Sequence, residues 1–202
     1  MPSRAYSKEQ KEAVRQRLLE TGLALYSKQG IKGARLVDIL AVVGISKPFF
    51  YTFFPSVAEF VLQVLDFQWT RYAAILDAFE ADHSRPWQEQ ARELLDKTVH
   101  YDENGLLVMT QEEQVWVRAR LDGDRYETFM TSQISFFRRL LALWNIDAER
   151  CPPKVLANMV ISSVLIYNSA KQALPFLYLD ELEETAHAHS EAIIAYLETC
   201  RK

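Results

Sequence analysis

Apolar side chains recur along this chain at intervals of three and four residues, the spacing of one face of an α-helix. Leu36, Ile39, Leu40 and Val43 occupy positions i, i+3, i+4 and i+7 of one such face. Comparable spacing predicts further helices over residues 7–29, 56–80, 87–100, 106–121 (one helix or two), 125–144, 154–174 and 180–200. Six glycines and seven prolines among 202 residues are few turn-forming residues for a fold of many strands. The predicted fold class is therefore all-α, with about nine helices.

The segment 34–54, ARLVDILAVVGISKPFFYTFF, contains a tight corner between two short helices. Gly44 ends the first helix, because glycine adopts the left-handed conformation at little cost. Ser46 can cap the second helix with its hydroxyl, and Pro48 falls in the first turn, where a missing N–H costs little. Two helices joined by a short turn containing glycine are typical of a helix-turn-helix, whose second helix enters the DNA major groove. An ordinary corner of an all-helical domain is the alternative.

Charge is unevenly distributed along the chain. Residues 1–55 contain nine Lys and Arg against four Asp and Glu, whereas the remainder contains 14 against 23. The formal net charge of −4 argues against a uniformly basic nucleic-acid coat. A basic first quarter followed by an acidic remainder indicates one nucleic-acid-facing module on a solvated domain. The break at Pro55-Ser56 marks the boundary between the two.

Composition and motifs point away from several protein classes. The chain is 49% hydrophobic and 25% charged, which is ordinary for a globular domain that builds its own core. No segment reaches 18 uncharged apolar residues and the first residues lack a secretion signal, so we expect a cytoplasmic protein without membrane contact. Cys151 and Cys200 match no metal-ligand or redox spacing, and no phosphate-binding or hydrolase motif occurs. We therefore expect neither an enzyme nor a bound cofactor or metal.

A set of spaced motifs extends over about 45 residues, roughly 14–60. It consists of Leu18-Leu19 followed by Tyr26 and Gly30, then Asp38-Ile39-Leu40, Val43-Gly44-Ile45-Ser46, Phe50-Tyr51 and Phe54-Pro55-Ser56. As a set these motifs resemble the N-terminal domain of TetR-type (tetracycline repressor family) transcriptional regulators. The remaining residues carry no motif of that family, and only their length and helical character are compatible with its variable ligand-binding domain.

The resemblance implies an all-α homodimer in which each protomer places its third helix in the major groove of a palindromic double-stranded DNA operator, with half-sites about 34–36 Å apart. It also implies a DNA-binding domain at 1–55 and a helical domain for effector binding and dimerisation at 56–202. Position by position, it assigns base contacts to Lys47 and Phe49, phosphate contacts to Tyr51 and Thr52, and helix starts that face phosphate to Arg35 and Ser46.

Several positions depart from the family pattern. Arg35 replaces the usual Thr, which exchanges a hydroxyl for a cation able to grip phosphate in bidentate fashion. Phe49 stands where a small residue or Thr is common, so we expect an apolar contact with a thymine methyl group. Phe53 replaces a His or Tyr that donates to phosphate, and packing within the domain is its equal alternative. Phe50 and Phe54 are expected in the core.

Two further sites follow from the fold that the resemblance implies. Aromatic side chains on helices around a cavity are expected to line a pocket for a small-molecule effector, with plain core packing as the alternative for each. The pocket candidates are Trp69, Tyr72, Trp87, Trp116, Tyr126, Phe129 and Tyr167. The last two helices are expected to form the dimer interface, because residues of the final helix recur at alternating spacings of four and three. The interface candidates are Met159, Ile166, Leu182, Ala186, His189, Ile193 and Tyr196. The alternative is that this face packs within one subunit.

These inferences favour a sequence-specific transcriptional regulator, in its simplest form a repressor that a small-molecule effector releases from DNA. The competing hypothesis is an all-helical ligand-binding protein or enzyme whose helix-turn-helix-like corner is incidental. The basic first quarter and the missing catalytic motifs favour the regulator.

Overall fold

A computed structural model describes residues 6–82, 84–100, 105–170 and 178–202, and these ranges contain nine α-helices. The helices are α1 (Lys8–Gly33), α2 (Leu36–Val43), α3 (Lys47–Phe50), α4 (Val57–Ala81), α5 (Trp87–Val99), α6 (Gln111–Arg118), α7 (Gly123–Leu143), α8 (Pro153–Ala170) and α9 (Leu182–Thr199). A single 3-10 turn, Leu179–Glu181, precedes α9. The described ranges contain no strand, and only one isolated antiparallel bridge joins Ile146 to Arg201. The predicted all-α fold class is confirmed.

Local hydrogen bonds determine where several helices begin. Ser7 Oγ accepts the amide of Gln10 at 3.2 Å, and the Gln10 side chain accepts the amide of Ser7 at 2.9 Å at the start of α1. Ser56 caps α4 by accepting the amide of Glu59 at 3.0 Å. Such side chains satisfy amides that have no intrahelical acceptor, so each cap marks the start of its helix.

One helix is shorter than its apolar pattern predicts. The predicted span was 106–121, whereas α6 covers only Gln111–Arg118. The Gln68 side chain accepts the amide of Leu107 at 2.5 Å and donates to its carbonyl at 3.2 Å. Thr110 then caps α6 by accepting the amide of Glu113 at 3.2 Å. Gln68 thus satisfies both backbone groups of Leu107, and the Thr110 cap makes Gln111 the first residue of the helix. The predicted helix end at residue 174 lies outside the described residues.

The chain forms two compact units whose boundaries fall within α4 and α7. The first unit comprises Met1–Thr70 with Gly105–Phe129, and the second comprises Arg71–Asn104 with Met130–Lys202. The first unit therefore contains α1 to α3, the start of α4, α6 and the start of α7. The sequence-based division between residues 55 and 56 followed the chain break before α4, whereas packing adds α6 to the unit of the helix-turn-helix. The division into a DNA-binding domain at 1–55 and an effector-binding and dimerisation domain at 56–202 stays a prediction.

Aromatic rings form the centre of the first unit. Phe50, Phe54 and Phe60 are each 0% exposed, and their ring centroids lie 4.8, 5.2 and 5.3 Å apart. The core positions predicted for Phe50 and Phe54 are therefore confirmed. The ring of Tyr26 lies 6.0 Å from that of Phe60, and burial raises the pKa of the Tyr26 phenol. Helix α1 comes very close to α4 at Gly22, which lies beside Phe60.

A buried chain of polar side chains links three helices of the second unit. Trp144, the residue after α7, donates its indole N–H to the side chain of Gln90 of α5 at 3.2 Å. Gln90 in turn donates to the carbonyl of Phe79 of α4 at 3.3 Å.

Cys151 and Cys200 are buried free thiols, and burial raises the pKa of Cys151. None of the described helices is both long enough and apolar enough to cross a lipid bilayer.

Replacing Gly22 by Ala should destabilise the protein. An added methyl group would lie 2.7 Å from Phe60 Cζ and 2.9 Å from Val64 Cγ2, so the packed core would have to shift. Overpacking of this kind typically costs about 1–3 kcal/mol, which denaturant titration of the free energy of unfolding would detect. The matched control is Gly123→Ala, where no atom lies within 4 Å of the new Cβ. A surface change of that kind stays within about 0.5 kcal/mol, and equal losses in both variants would contradict the close approach of α1 and α4.

Candidate functional site

The corner between α2 and α3 has the geometry of a helix-turn-helix. Gly44 adopts a left-handed conformation with φ 78° and ψ 36°, and its amide bonds the carbonyl of Leu40 at 2.8 Å. Ser46 caps α3, since its hydroxyl accepts the amide of Phe49 at 3.4 Å. Pro48 occupies the first turn, as the sequence predicts. Helix α3 has only four residues in regular α-helix, and the chain continues after it as hydrogen-bonded turns to Phe54.

Burial sorts the side chains of this corner into two sets. Phe50 faces the core, whereas Ser46, Lys47, Tyr51 and Thr52 are exposed. Lys47 has no ion-pair partner among the described residues. The corner therefore presents a cation and three hydroxyl groups to solvent, the side-chain types that bind phosphate and base edges.

Arg35 lies at the N-cap of α2 and is tied to Asp38. Its Nε and Nη2 each donate to a different Asp38 oxygen at 3.0 Å, although its side chain is 74% exposed. The bond from Arg35 lowers the pKa of Asp38, and the same bond raises the pKa of Arg35. Sequence reasoning missed this pair, although its i, i+3 spacing on one helix could have indicated it. The guanidinium is thus held in place, and a phosphate would have to share it with Asp38.

Phe49 is half-buried in a small aromatic cluster at the edge of the corner. Its ring centroid lies 4.8 Å from Tyr6 and 5.0 Å from Phe53. The ring centroid of Phe53 also lies 6.4 Å from that of Phe54. Phe53 therefore packs within the domain, which is the alternative to a phosphate-facing role. Thr52 donates its hydroxyl to the carbonyl of Phe49 at 2.7 Å. Sequence reasoning missed Tyr6, whose only signal is its place directly before the Ser7 cap.

Solved structures resemble the whole chain. A TetR-family transcriptional regulator from Cytophaga hutchinsonii is 12% identical, with a TM-score of 0.62 and 98% of both chains covered. A TetR transcriptional regulator from Legionella pneumophila is 16% identical, with a TM-score of 0.61, covering 98% of this chain and 99% of that one. This chain has the TetR fold. The reduced form of NemR from E. coli is also similar, with 17% identity, a TM-score of 0.59, and 89% and 96% coverage. No protein-family model matches the chain, and neither does any curated protein.

The aromatic residues predicted to line an effector pocket are divided between the two units of this TetR fold. The first unit contains Trp69, Trp116, Tyr126 and Phe129. The second unit contains Tyr72, Trp87 and Tyr167. Tyr126 and Phe129 are 7% and 1% exposed in the core of the first unit, which matches the alternative of plain core packing. A pocket role for the seven residues stays a prediction.

A cavity of about 310 Å³ lies between α5 and α9 in the second unit. Its lining consists of Arg92, Glu93, Asp96, Val99, His100, Glu183, Ala186, His187 and Ser190. That lining includes none of the seven predicted pocket residues, although Tyr167 donates its hydroxyl to Glu183 at the edge. The described ranges contain no cluster of three or more side chains that could hold a metal ion.

His100 connects α5 to α9 at this cavity. Its Nε2 lies 3.0 Å from Glu183 Oε2, and its Nδ1 lies 2.9 Å from the carbonyl of Asp96. Burial lowers the pKa of His100, but the bond to Glu183 and the carbonyl and charge of Asp96 outweigh burial, so the pKa is raised. The protonated imidazole is therefore the form that holds the two helices together.

The residues predicted for a dimer interface differ in exposure. Leu182, Ala186 and Ile193 are 9%, 8% and 4% exposed, which fits the alternative that this face of α9 packs within one subunit. Met159, His189 and Tyr196 are half-buried and Ile166 is exposed. The exposed large aliphatic side chains of the last two helices lie on α8, and they are Val155, Ile161, Leu165 and Ile166.

The stability of the protein should fall as pH rises past neutrality, in part because of His100. Its pKa is raised on folding above the ordinary value of 6.5, so the stabilisation is complete below that pH and is lost above the folded value. Glu183 is 71% exposed and screened, so the effect is below about 1 kcal/mol. Thermal unfolding at pH 6 and pH 8 would measure it.

His100→Gln should reduce this pH difference. The control is His189→Gln, because His189 is half-buried on the same helix as Glu183 and has no ion pair among the residues described. An unchanged pH difference in His100→Gln would contradict the assignment.

Proposed function

We propose that this protein is a sequence-specific DNA-binding transcriptional regulator, in its simplest form a repressor that a small molecule releases from its operator. The observation that carries the proposal is the exposed set Lys47, Tyr51 and Thr52 on a short, Ser46-capped helix that follows a left-handed glycine. The TetR fold of the whole chain supports it, because the proteins from Cytophaga hutchinsonii and Legionella pneumophila that share this fold are transcriptional regulators.

In this proposal the α3 corner supplies both base and phosphate contacts. Lys47 would donate to guanine or other acceptors in the major groove, and Phe49 would contact a thymine methyl group. Tyr51 would donate to a backbone phosphate, and Thr52 would do so by exchanging the carbonyl of Phe49 for a phosphate oxygen. Such contacts orient a protein on DNA without reading sequence. Arg35 would add a phosphate contact by exchanging one oxygen of Asp38 for one of the phosphate, since an exposed ion pair of this kind is weak.

Release by a small molecule would require that the effector bind one conformer of the protein more tightly than the other. The aromatic residues Tyr72, Trp87 and Tyr167 remain the candidates for this role in the second unit. The competing hypothesis, a ligand carrier or enzyme with an incidental corner, predicts ligand binding without any preference among DNA sequences.

Dimerisation is part of the same proposal, with α8 as its main surface. Ile161, Leu165 and Ile166 are 39%, 48% and 39% exposed, and they lie within two turns of one helix. Clusters of exposed aliphatic side chains are uncommon on monomers and typical of interfaces. A two-fold dimer would place two copies of α3 on successive turns of the DNA and thus bind a palindrome.

Lys47→Ala should weaken binding to an operator selected from a random pool of duplexes. Loss of a base contact costs about 1–3 kcal/mol, or roughly 5- to 150-fold in Kd at constant salt. The control Lys154→Ala removes another exposed cation, at the start of α8, and should change Kd little. Equal effects of the two variants, or a pool without any enriched sequence, would argue against the proposed function.

Leu165→Glu should convert a dimer to monomers, because it would bury a charge in an apolar contact. Sedimentation equilibrium would measure the mass, and operator affinity should fall together with dimerisation. Val115→Glu is the matched control, since Val115 is 63% exposed on α6 of the first unit. A wild-type protein that sediments as a monomer at micromolar concentration would refute this part of the proposal.

A further inference from the structure

Glu113 is a buried carboxylate that contacts the backbone at the end of α1. It belongs to α6 and is 4% exposed. Its Oε1 accepts the amides of Ile31 and Lys32 at 2.7 and 3.3 Å, and its Oε2 accepts the amide of Thr110 at 2.9 Å. One side chain thus completes the cap of α6 and holds the last turn of α1.

The two amides are available to Glu113 because α1 is interrupted at Gly30. This residue has φ 72° and ψ 168°, so the last turn of α1 starts anew after it. Amides at such a start have no carbonyl one turn earlier to bond. Ile31 is only 7% exposed, so water is a poor substitute for the carboxylate. A Cβ on Gly30 would lie 3.0 Å from Glu113 Oε1, so the missing side chain makes room for the carboxylate.

The turn that Glu113 holds leads directly into the helix-turn-helix. The amide of Ala34 bonds the carbonyl of Gly30 at 3.2 Å, which closes the turn. Only Ala34 and Arg35 then separate it from Leu36, the first residue of α2. Two residues leave the chain little freedom, so the direction of this turn sets the direction in which α2 begins.

We propose that Glu113 is a positioning residue that holds the corner between α1 and α2 in the orientation in which α3 reads DNA. The inference rests on the proposed DNA-binding function. A misdirected α2 would leave the charge of Lys47 unchanged but would displace it from the base edges. Specific affinity would then fall, while non-specific affinity, which depends on charge, would remain.

The test compares Glu113→Met with Glu112→Met. Met is close to Glu in length, but its thioether is only a weak acceptor, so the backbone amides lose the carboxylate oxygens that they bond. Glu112 is the adjacent residue, 81% exposed, and it pairs with the Lys32 side chain, so it is a matched surface control. Two quantities are measured: hydrogen-exchange protection of the Ile31 and Lys32 amides, and Kd for the selected operator and a scrambled duplex at one salt concentration.

We expect Glu113→Met to lose protection at these two amides and to bind the operator about tenfold more weakly, with an unchanged Kd for the scrambled duplex. Glu112→Met should behave like the wild type. Gly30→Ala provides a second variant should Glu113→Met not fold, because its methyl group would crowd the carboxylate and strain the left-handed backbone. It should give the same pattern.

Three outcomes would overturn the inference. One is retained protection of both amides in Glu113→Met, and another is lost protection with unaltered operator affinity. The third is an equal loss of affinity for both duplexes, which a purely structural role would produce. A wild type without sequence preference would remove the DNA-binding function and this inference with it. The exchange data would then still show whether Glu113 holds the two amides, so the two failures are distinguishable.

Discussion

The packing of Phe50 and Phe54 against Phe60 is the contact on which the exposed face of the helix-turn-helix depends. Phe50 and Phe54 lie one helical turn apart, and both are completely buried. Full burial of a Phe side chain contributes about 1.5–3 kcal/mol, so rotation of this segment away from α4 would be costly. Because side chains project around a helix at fixed angles, burial of these two rings directs Lys47, Tyr51 and Thr52 to solvent.

Ion pairs reduce the positive charge that the first unit offers to a partner. Arg35 is paired with Asp38, Lys32 with Glu112, and Arg15 lies 3.6 Å from Glu12. Asp38 and Glu12 are already counted among the acidic residues of 1–55, so only the pairing of Lys32 with Glu112, which lies outside that range, lowers the net positive charge counted there. These pairs are exposed and individually weak, so a phosphate backbone could compete for the cations.

Features that depend on neighbours within about four residues were predictable from the sequence. The turn at Gly44 and the cap at Ser46 belong to this class, because a left-handed glycine and a capping hydroxyl act on adjacent backbone groups. The pair of Arg35 with Asp38 is also local, but charge counting by segment does not resolve it. The start of α6 was not predictable, because the side chain of Gln68 acts on Leu107, which lies 39 residues further along the chain.

The sequence by itself determined the all-α class, the positions of most helices and the helix-turn-helix, since periodicity and capping are local properties of a chain. Only the tertiary structure decided which surface covers each apolar face. Ile193 of α9 lies inside the subunit whereas Leu165 of α8 faces solvent, although both belong to apolar helical patterns. Likewise, only folding brings Glu113 to Ile31, because the two residues are 82 positions apart and no periodic pattern relates them. Apolar periodicity shows that one face of a helix is apolar, but it does not show which surface covers that face. Only the folded structure identifies the covering surface.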